Sequence, residues 1–163
     1  MIKELLTIGN EHLLQVSKEV APDEFNTTQL SGLIRDLIDT MNFKGGVGIS
    51  AVQIGIHKRI AVIGYDGSNP RYKQIGNCPL TVIINPVFEV VGNETCEYNE
   101  GCLSVPDSRG MVIRPKKIRY KFYDEIGKEA VGESDGFFAR VLQHEIDHMN
   151  GILFPMRIEG ARI

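Results

Sequence analysis

No stretch of this sequence stays apolar for long enough to span a membrane. Ile60 to Ile63 and Val82 to Ile84 are stopped by Gly64 and by Asn85-Pro86, far short of the ~18 residues that a span needs. The opening residues, Met1-Ile2-Lys3-Glu4-Leu5-Leu6-Thr7, meet an acid at once and contain no apolar core of signal-peptide length, so export is not expected and the chain is read as cytoplasmic. Positive charge is also sparse. Eighteen Lys+Arg against 21 Asp+Glu leave a net charge of -3, and no basic run exceeds Lys116-Lys117, which makes a sequence-specific nucleic-acid binder a poor expectation. Cysteine is scarce and odd in number: Cys78, Cys96 and Cys102 have no framework spacing. That excludes a disulfide-stapled mini-protein and points to free thiols in a reducing compartment, with metal binding or catalysis open to one of them.

What is present is a chain of 163 residues, 42% hydrophobic and 24% charged, with no repeat, low-complexity tract or linker. A chain of this size buries roughly 70% of its unfolded surface around one core, so residues 1–163 are expected to form a single domain. Leu30, Leu33, Ile34, Leu37, Ile38 and Met41 recur at helical spacing and predict a first helix, capped by Thr27 or Asn26 and ended by Gly45-Gly46. The following segment, Gly46 to Gln53, is too glycine-rich for a regular strand and too apolar for a surface loop, so a loop pressed against something is expected. Arg59 to Gly64, Leu80 to Asn85 and Val87 to Val91 read as strands, with a loop from Tyr65 to Pro79. Lys117 to Asp124 alternates strictly, with Ile118, Tyr120 and Phe122 on one face, and Glu125 to Lys128 turns it into a partner at Glu129 to Gly132. Ser134 or Asp135 is expected to cap a second helix, Gly136 to Asn150, with Gly151 as its left-handed stop. This order predicts an α+β fold with a mostly antiparallel sheet.

The second helix carries His144-Glu145-Ile146-Asp147-His148, an H-E-x-x-H pattern that stacks two imidazoles on one face and suits a single metal ion. Glu145, about 100° around from His144, is placed to reach past the metal to a water and act as a base. Metalloproteases with this helix usually take a further ligand from downstream. Here the position that would supply it holds Phe154, and Glu159 is the one carboxylate after His148. The third ligand is therefore expected upstream, where Cys102 in Glu100-Gly101-Cys102-Leu103-Ser104-Val105-Pro106 is the best candidate and Cys96 its rival.

Three segments taken together, Gly46-Val47-Gly48-Ile49-Ser50-Ala51-Val52-Gln53, Glu100-Gly101-Cys102-Leu103-Ser104 and Gln143-His144-Glu145-Ile146-Asp147-His148, resemble peptide deformylase, and the likeness runs from the first helix to Phe154. The resemblance implies a metal-dependent hydrolase that removes the formyl group from the N-terminal formyl-methionine of nascent polypeptides and releases formate. It implies one divalent ion held by Cys102, His144 and His148, with Fe(II) as the native ion and Zn(II), Ni(II) or Co(II) as possible substitutes. By the family mechanism a water at the metal attacks the formyl carbon, and Glu145 takes its proton and passes it to the departing amine. Gln53 and the Leu103 backbone N–H are the implied oxyanion donors.

The nascent chain is the expected partner, met near the ribosome exit region. Gly48 leaves room for it to pair as an added strand, Val47, Phe137 and Val141 are expected to line the methionine slot, and Arg109 to meet the substrate backbone beyond it. Glu100 is expected to pair with Arg114 behind the site. Departures from the family pattern are Ser50 for alanine, Val52 for proline, and Arg140, whose polarity bears on the breadth of the pocket. The nine residues after Phe154 leave little room for the C-terminal helix of some members. A peptidase cutting internal bonds would need the missing downstream ligand, and a non-catalytic metal protein would need neither Glu145 nor Gln53.

Overall fold

The computed structural model describes residues 1–72 and 74–158; Glu159 lies outside them. The first helix, α1 (Thr28–Lys44), forms as its spacing predicts. The Thr27 hydroxyl accepts from the Leu30 N–H at its start, and Gly45, at φ 70°, ends it in the left-handed conformation. Within the expected loop, Gly48–Ser50 forms a short strand, β1, followed by a turn of 3-10 helix at Ala51–Ile54.

Strands β2 (Ile60–Tyr65), β3 (Cys78–Val90), β6 (Ile118–Tyr123) and β7 (Glu129–Ser134) join β1 in a five-stranded sheet of order β1-β2-β3-β6-β7. Every pairing in it is antiparallel. The two strands expected at Leu80 to Asn85 and Val87 to Val91 are one strand, interrupted by a bulge between Ile84 and Val87. Asn85, at φ 50°, turns its side chain out of the ladder and bonds both the Val20 N–H (2.9 Å) and the Val20 carbonyl (3.0 Å). The bulge also accommodates Pro86, which has no N–H to give to a ladder.

A second sheet consists of one hairpin, β4 (Thr95–Cys102) and β5 (Val105–Pro115), joined at the two-residue turn Leu103-Ser104. The sequence reading assigned no strands here. The other helix, α2 (Phe137–Met149), starts from Gly136, not from the expected Ser134 or Asp135 cap, and no side chain caps it. Gly151 does take the left-handed conformation expected of it, at φ 74°.

Both faces of β2 are covered. Ile60 and Val62 pack with Leu30, Ile34, Leu37 and Met41 of α1. Ala61 and Ile63 pack on the other side with Val141, Leu142, Ile146 and Met149 of α2. The α2 helix therefore lies between the large sheet and the hairpin, with an apolar side toward the sheet. Its other side faces the hairpin through Arg140, Gln143, His144 and Asp147, all of which bond to β4 or β5.

Two glycines test this architecture in opposite directions. A Cβ on Gly151 would run into the Leu14 backbone carbonyl, in a conformation that L residues rarely adopt. Gly32, inside α1, has open space where its Cβ would stand. Gly151→Ala should lower the thermal midpoint by roughly 5–10 °C, and Gly32→Ala should raise it by about 2–4 °C, both read by calorimetry.

Candidate active site

The hairpin delivers Cys102 and α2 delivers His144 and His148 to one point. The Cys102 Sγ lies 3.3 Å from His148 Nε2, and His148 Nε2 lies 3.2 Å from His144 Nε2. These donor atoms all fall within 4.8 Å of one another, the one such cluster of three or more among the described residues. Cys96, the rival ligand, is elsewhere: its Sγ faces the Arg140 guanidinium at 3.2 Å. Phe154 lies near His144, its ring at 26° to the imidazole with centroids 6.4 Å apart, and offers no ligand atom.

Each imidazole is set from behind differently. His144 Nδ1 meets Glu100 Oε1 at 2.8 Å, which leaves Nε2 facing the cluster. Glu100 is pinned in turn: Arg114 donates to both of its oxygens (2.6 and 2.9 Å) and Arg140 Nη1 donates to Oε2 (2.6 Å). The expected pairing of Glu100 with Arg114 is thus present and buried, at 4% exposure on both sides. Arg114 also donates to Asp147 (2.8 Å), which Arg157 holds from the other side. His148 Nδ1 is buried and has no hydrogen-bond partner among the described residues.

These surroundings move the titrations. Burial works to raise the Glu100 carboxyl, yet hydrogen bonds from His144 and Arg114 hold it far below the usual carboxylate range. Burial pushes Glu145 the opposite way, above its ordinary value, against the pull of His144 and the Ser50 hydroxyl. Burial also works to lower His144, but bonds to the Cys102 sulfur and the Glu100 carboxylate raise it well above its ordinary value. For His148, burial and the positive charge of its neighbours lower it well below.

The glycine-rich segment closes the opposite wall. Ser50 Oγ donates to Glu145 Oε2 at 2.8 Å, and a Cβ on Gly48 would stand 2.8 Å from Glu145 Oε1. A side chain at 48 would therefore displace the Glu145 carboxylate and press on Val141, a reason for glycine that adds to the one read from sequence. Gln53 is almost fully buried and is not a surface amide. Its Oε1 accepts from the Ser50 N–H (2.8 Å), and its Nε2 donates to Ser104 Oγ (3.0 Å) with the Cys102 sulfur at 3.7 Å.

A cavity of about 710 Å³ opens over the cluster, and Val47, Gly48, Gln53, Leu103, Arg109, Phe137, Val141, His144 and Glu145 all line it. Sequence reasoning missed Tyr72 and Tyr98, which line it too and pack against Phe137 at 5.5 and 5.4 Å between centroids. Neither was signalled by the sequence: Tyr98 stands on β4, a strand that the sequence pattern does not reveal, and Tyr72 sits in a loop. Ser50 was visible only as a departure from alanine, and its bond to Glu145 needs the fold. Arg109 donates to the Asn99 carbonyl (2.8 Å) and lies 5.2 Å from the Tyr72 ring centroid.

Comparison with known proteins agrees with this geometry. Residues 2–162 match the sequence model of the family described as Polypeptide deformylase. Peptide deformylase 2 of Ralstonia nicotianae is 43% identical over 159 residues, which are 98% of this chain and 88% of that protein. Peptide deformylase 1 of Nitrosomonas europaea is 43% identical over 162 residues, 99% of this chain and 90% of that one. The Met-Ala-Ser-bound crystal structure of class I type b peptide deformylase from Acinetobacter baumannii superposes with a TM-score of 0.92 at 36% identity, over 97% of this chain and 99% of that one. The chain therefore belongs to the peptide deformylase family, metal-dependent hydrolases that remove the N-formyl group from nascent polypeptides.

Proposed function

We propose that Cys102, His144 and His148 hold one divalent cation, with Fe(II) as the working ion, and that Glu145 is the proton carrier for hydrolysis of formyl-methionyl N-termini. The observation that carries this reading is the convergence of one sulfur and two Nε2 atoms beneath a cavity that also contains a buried, uncoordinated carboxylate. The donor set fits the group. Three protein ligands leave a position open for chemistry, whereas structural sites are closed by four. A thiolate with two imidazoles suits Fe(II), Co(II), Ni(II) and Zn(II) alike, and Fe(II) is the ion that the family resemblance implies. When bound, the cation supplies Lewis-acid polarisation of the formyl carbonyl and an activated water near neutral pH.

The protein groups do the rest. Glu145 holds one rotamer through Ser50, and its raised affinity for a proton suits a group that accepts one from water and returns it to the leaving amine. Gln53 is fixed at both ends of its amide, which keeps one Nε2 proton directed toward the sulfur and available, with the Leu103 N–H, to a developing oxyanion. The β1 strand lies at the edge of the sheet, so the side not paired with β2 offers backbone groups to an extended peptide. Val47, Phe137 and Val141 line the methionine slot, and Arg109 meets the chain beyond it. The Acinetobacter baumannii relative is bound to Met-Ala-Ser, a peptide that begins with methionine, which supports a ligand of this class. The proposed place of action is the cytoplasm, near the ribosome exit region, where nascent N-termini emerge.

The decisive experiment is formate release from a formyl-Met peptide by protein of known metal content. Glu145→Gln should retain the metal and inhibitor affinity while kcat falls by at least ~10²-fold. Loss of metal from that variant would assign Glu145 a ligand's role instead.

Cys102→Ser should lower metal content below one ion per chain. Cys78→Ser should leave it unchanged, since the Cys78 sulfur bonds only near Thr81 and Pro79, at the start of β3. Elemental analysis of the purified variants checks both.

Protein prepared without oxygen should lose activity in air as Fe(II) and the Cys102 thiolate oxidise, and Ni(II) substitution should slow that decay. Equal air-stable activity with every ion would rule out iron.

A further inference from the structure

We propose that Arg140 is a positioning residue that fastens the β4–β5 hairpin to α2, so that the Cys102 sulfur stands beside the two imidazoles before a metal arrives. The inference rests on the ligand set proposed above.

A two-stranded hairpin is marginal by itself, and this one shares no strand pairing with the five-stranded sheet. Its apolar anchorage is small, a buried cluster of Val105, Val112 and Phe154. Arg140 supplies what the cluster lacks. Its Nη2 donates to the Cys96 carbonyl on β4 (2.7 Å), and its Nη1 donates to the Val112 carbonyl on β5 (2.9 Å) and to Glu100 Oε2 (2.6 Å). Among the described residues it is the only α2 side chain that bonds the backbone of both strands. It is 6% exposed, so these acceptors have little water to replace it.

Register explains why this reaches the metal site. Cys96, Tyr98 and Glu100 alternate along one side of β4 and all face Arg140, the Tyr98 ring centroid lying 5.8 Å from the guanidinium. Cys102 follows two residues later, beside a small bulge. On α2, Arg140, His144 and His148 recur every fourth residue and share a face. The two rows meet in order: Arg140 with Cys96 and Glu100, His144 with Glu100, and His148 with Cys102. Arg140 is the rung of this ladder furthest from the ligands and the one bonded to the strand backbone, so it sets the position of the strand that ends in Cys102. The polarity of Arg140 leaves the breadth of the pocket open in the sequence; in the structure the residue lines the cavity and its guanidinium is also bonded to the hairpin.

The test uses the full chain with Co(II) as the probe and compares Arg140→Met and Arg140→Lys with the parent. Without metal, both variants should exchange the amides of Thr95–Cys102 and Val105–Pro115 at least about ten-fold faster while α1, β2 and β3 are unchanged. Co(II) affinity, read by chelator competition, should fall by about 10–100-fold, and loading should restore hairpin protection. Lysine keeps the charge but cannot span both strands, so a parent-like Arg140→Lys would show that charge alone matters and overturn the proposal. Unchanged Co(II) affinity, or faster exchange spread evenly over the chain, would overturn it as well. Should Arg140→Met fail to fold, Arg140→Lys carries the same test. Cys102→Ser in the parent separates the two readings. If it keeps the sulfur-to-cobalt absorption band, the ligand assignment fails whatever the hairpin does; if it loses the band and the Arg140 variants are parent-like, only the role of Arg140 fails.

Discussion

The Glu100 carboxylate is the constraint on which the site depends. One buried side chain from the hairpin accepts from Arg114 of its own hairpin and from Arg140 and His144 of α2. Breaking a buried pair by removing one partner typically costs about 3–5 kcal/mol, because a charge is left without water or counter-ion. The arrangement therefore tolerates little sliding of the hairpin along the helix. Asp147, held between Arg114 and Arg157, extends the same logic to the short 3-10 turn that follows α2.

Two buried carboxylates lie close to the cluster and are treated oppositely. Glu100 is saturated with cationic donors, which keep it ionised and inert as a proton acceptor at neutral pH. Glu145 receives one neutral hydroxyl donor on its carboxylate, and burial raises its proton affinity. Environments that push like groups apart in this way separate a fixed structural charge from a group able to carry a proton, the role proposed for Glu145. Toward the sheet α2 is mostly apolar, the Ser50 bond to Glu145 apart. That side is packed with Val141, Leu142, Ile146 and Met149, so the helix is held rigidly by one side while the other is reserved for polar work.

How much of this was legible varies by element. The apolar stripe of α1 and the strict alternation of β6 gave both elements, because in each one face is dry and the other wet. The β4–β5 hairpin was not legible, since its pattern is inverted. The residues that face α2 include Glu100 and Arg114, both buried, while Met111 and Ile113 are 52% and 57% exposed. A polar interior paired through ions does not look like a strand core. The bulge in β3 was misread as a strand end because Asn85-Pro86 is normally a stop; only the docking of the Asn85 side chain on the Val20 backbone, distant in sequence, allows the strand to continue. At the site, Cys102, His144, Glu145 and His148 could be singled out because metal chemistry dictates residue type, and the structure brings the sulfur and the two imidazoles together. Arg140 was noticed but not understood, since two of its partners are backbone carbonyls, which carry no sequence signature, and Glu100 lies on a strand that the sequence does not reveal.

The brevity of β1 bears on how broadly such an enzyme reads its substrates. An edge of three residues, closed by Gly46 on one side and by a turn of 3-10 helix on the other, has few free backbone groups. It is too short to template the edge-to-edge pairing that makes long exposed strands prone to aggregate. For the same reason a chain paired with it as proposed would be gripped over only its first few residues, and through groups that every polypeptide possesses. Recognition then ends almost where it begins, and the thousands of different sequences that follow an initiating methionine need not be told apart.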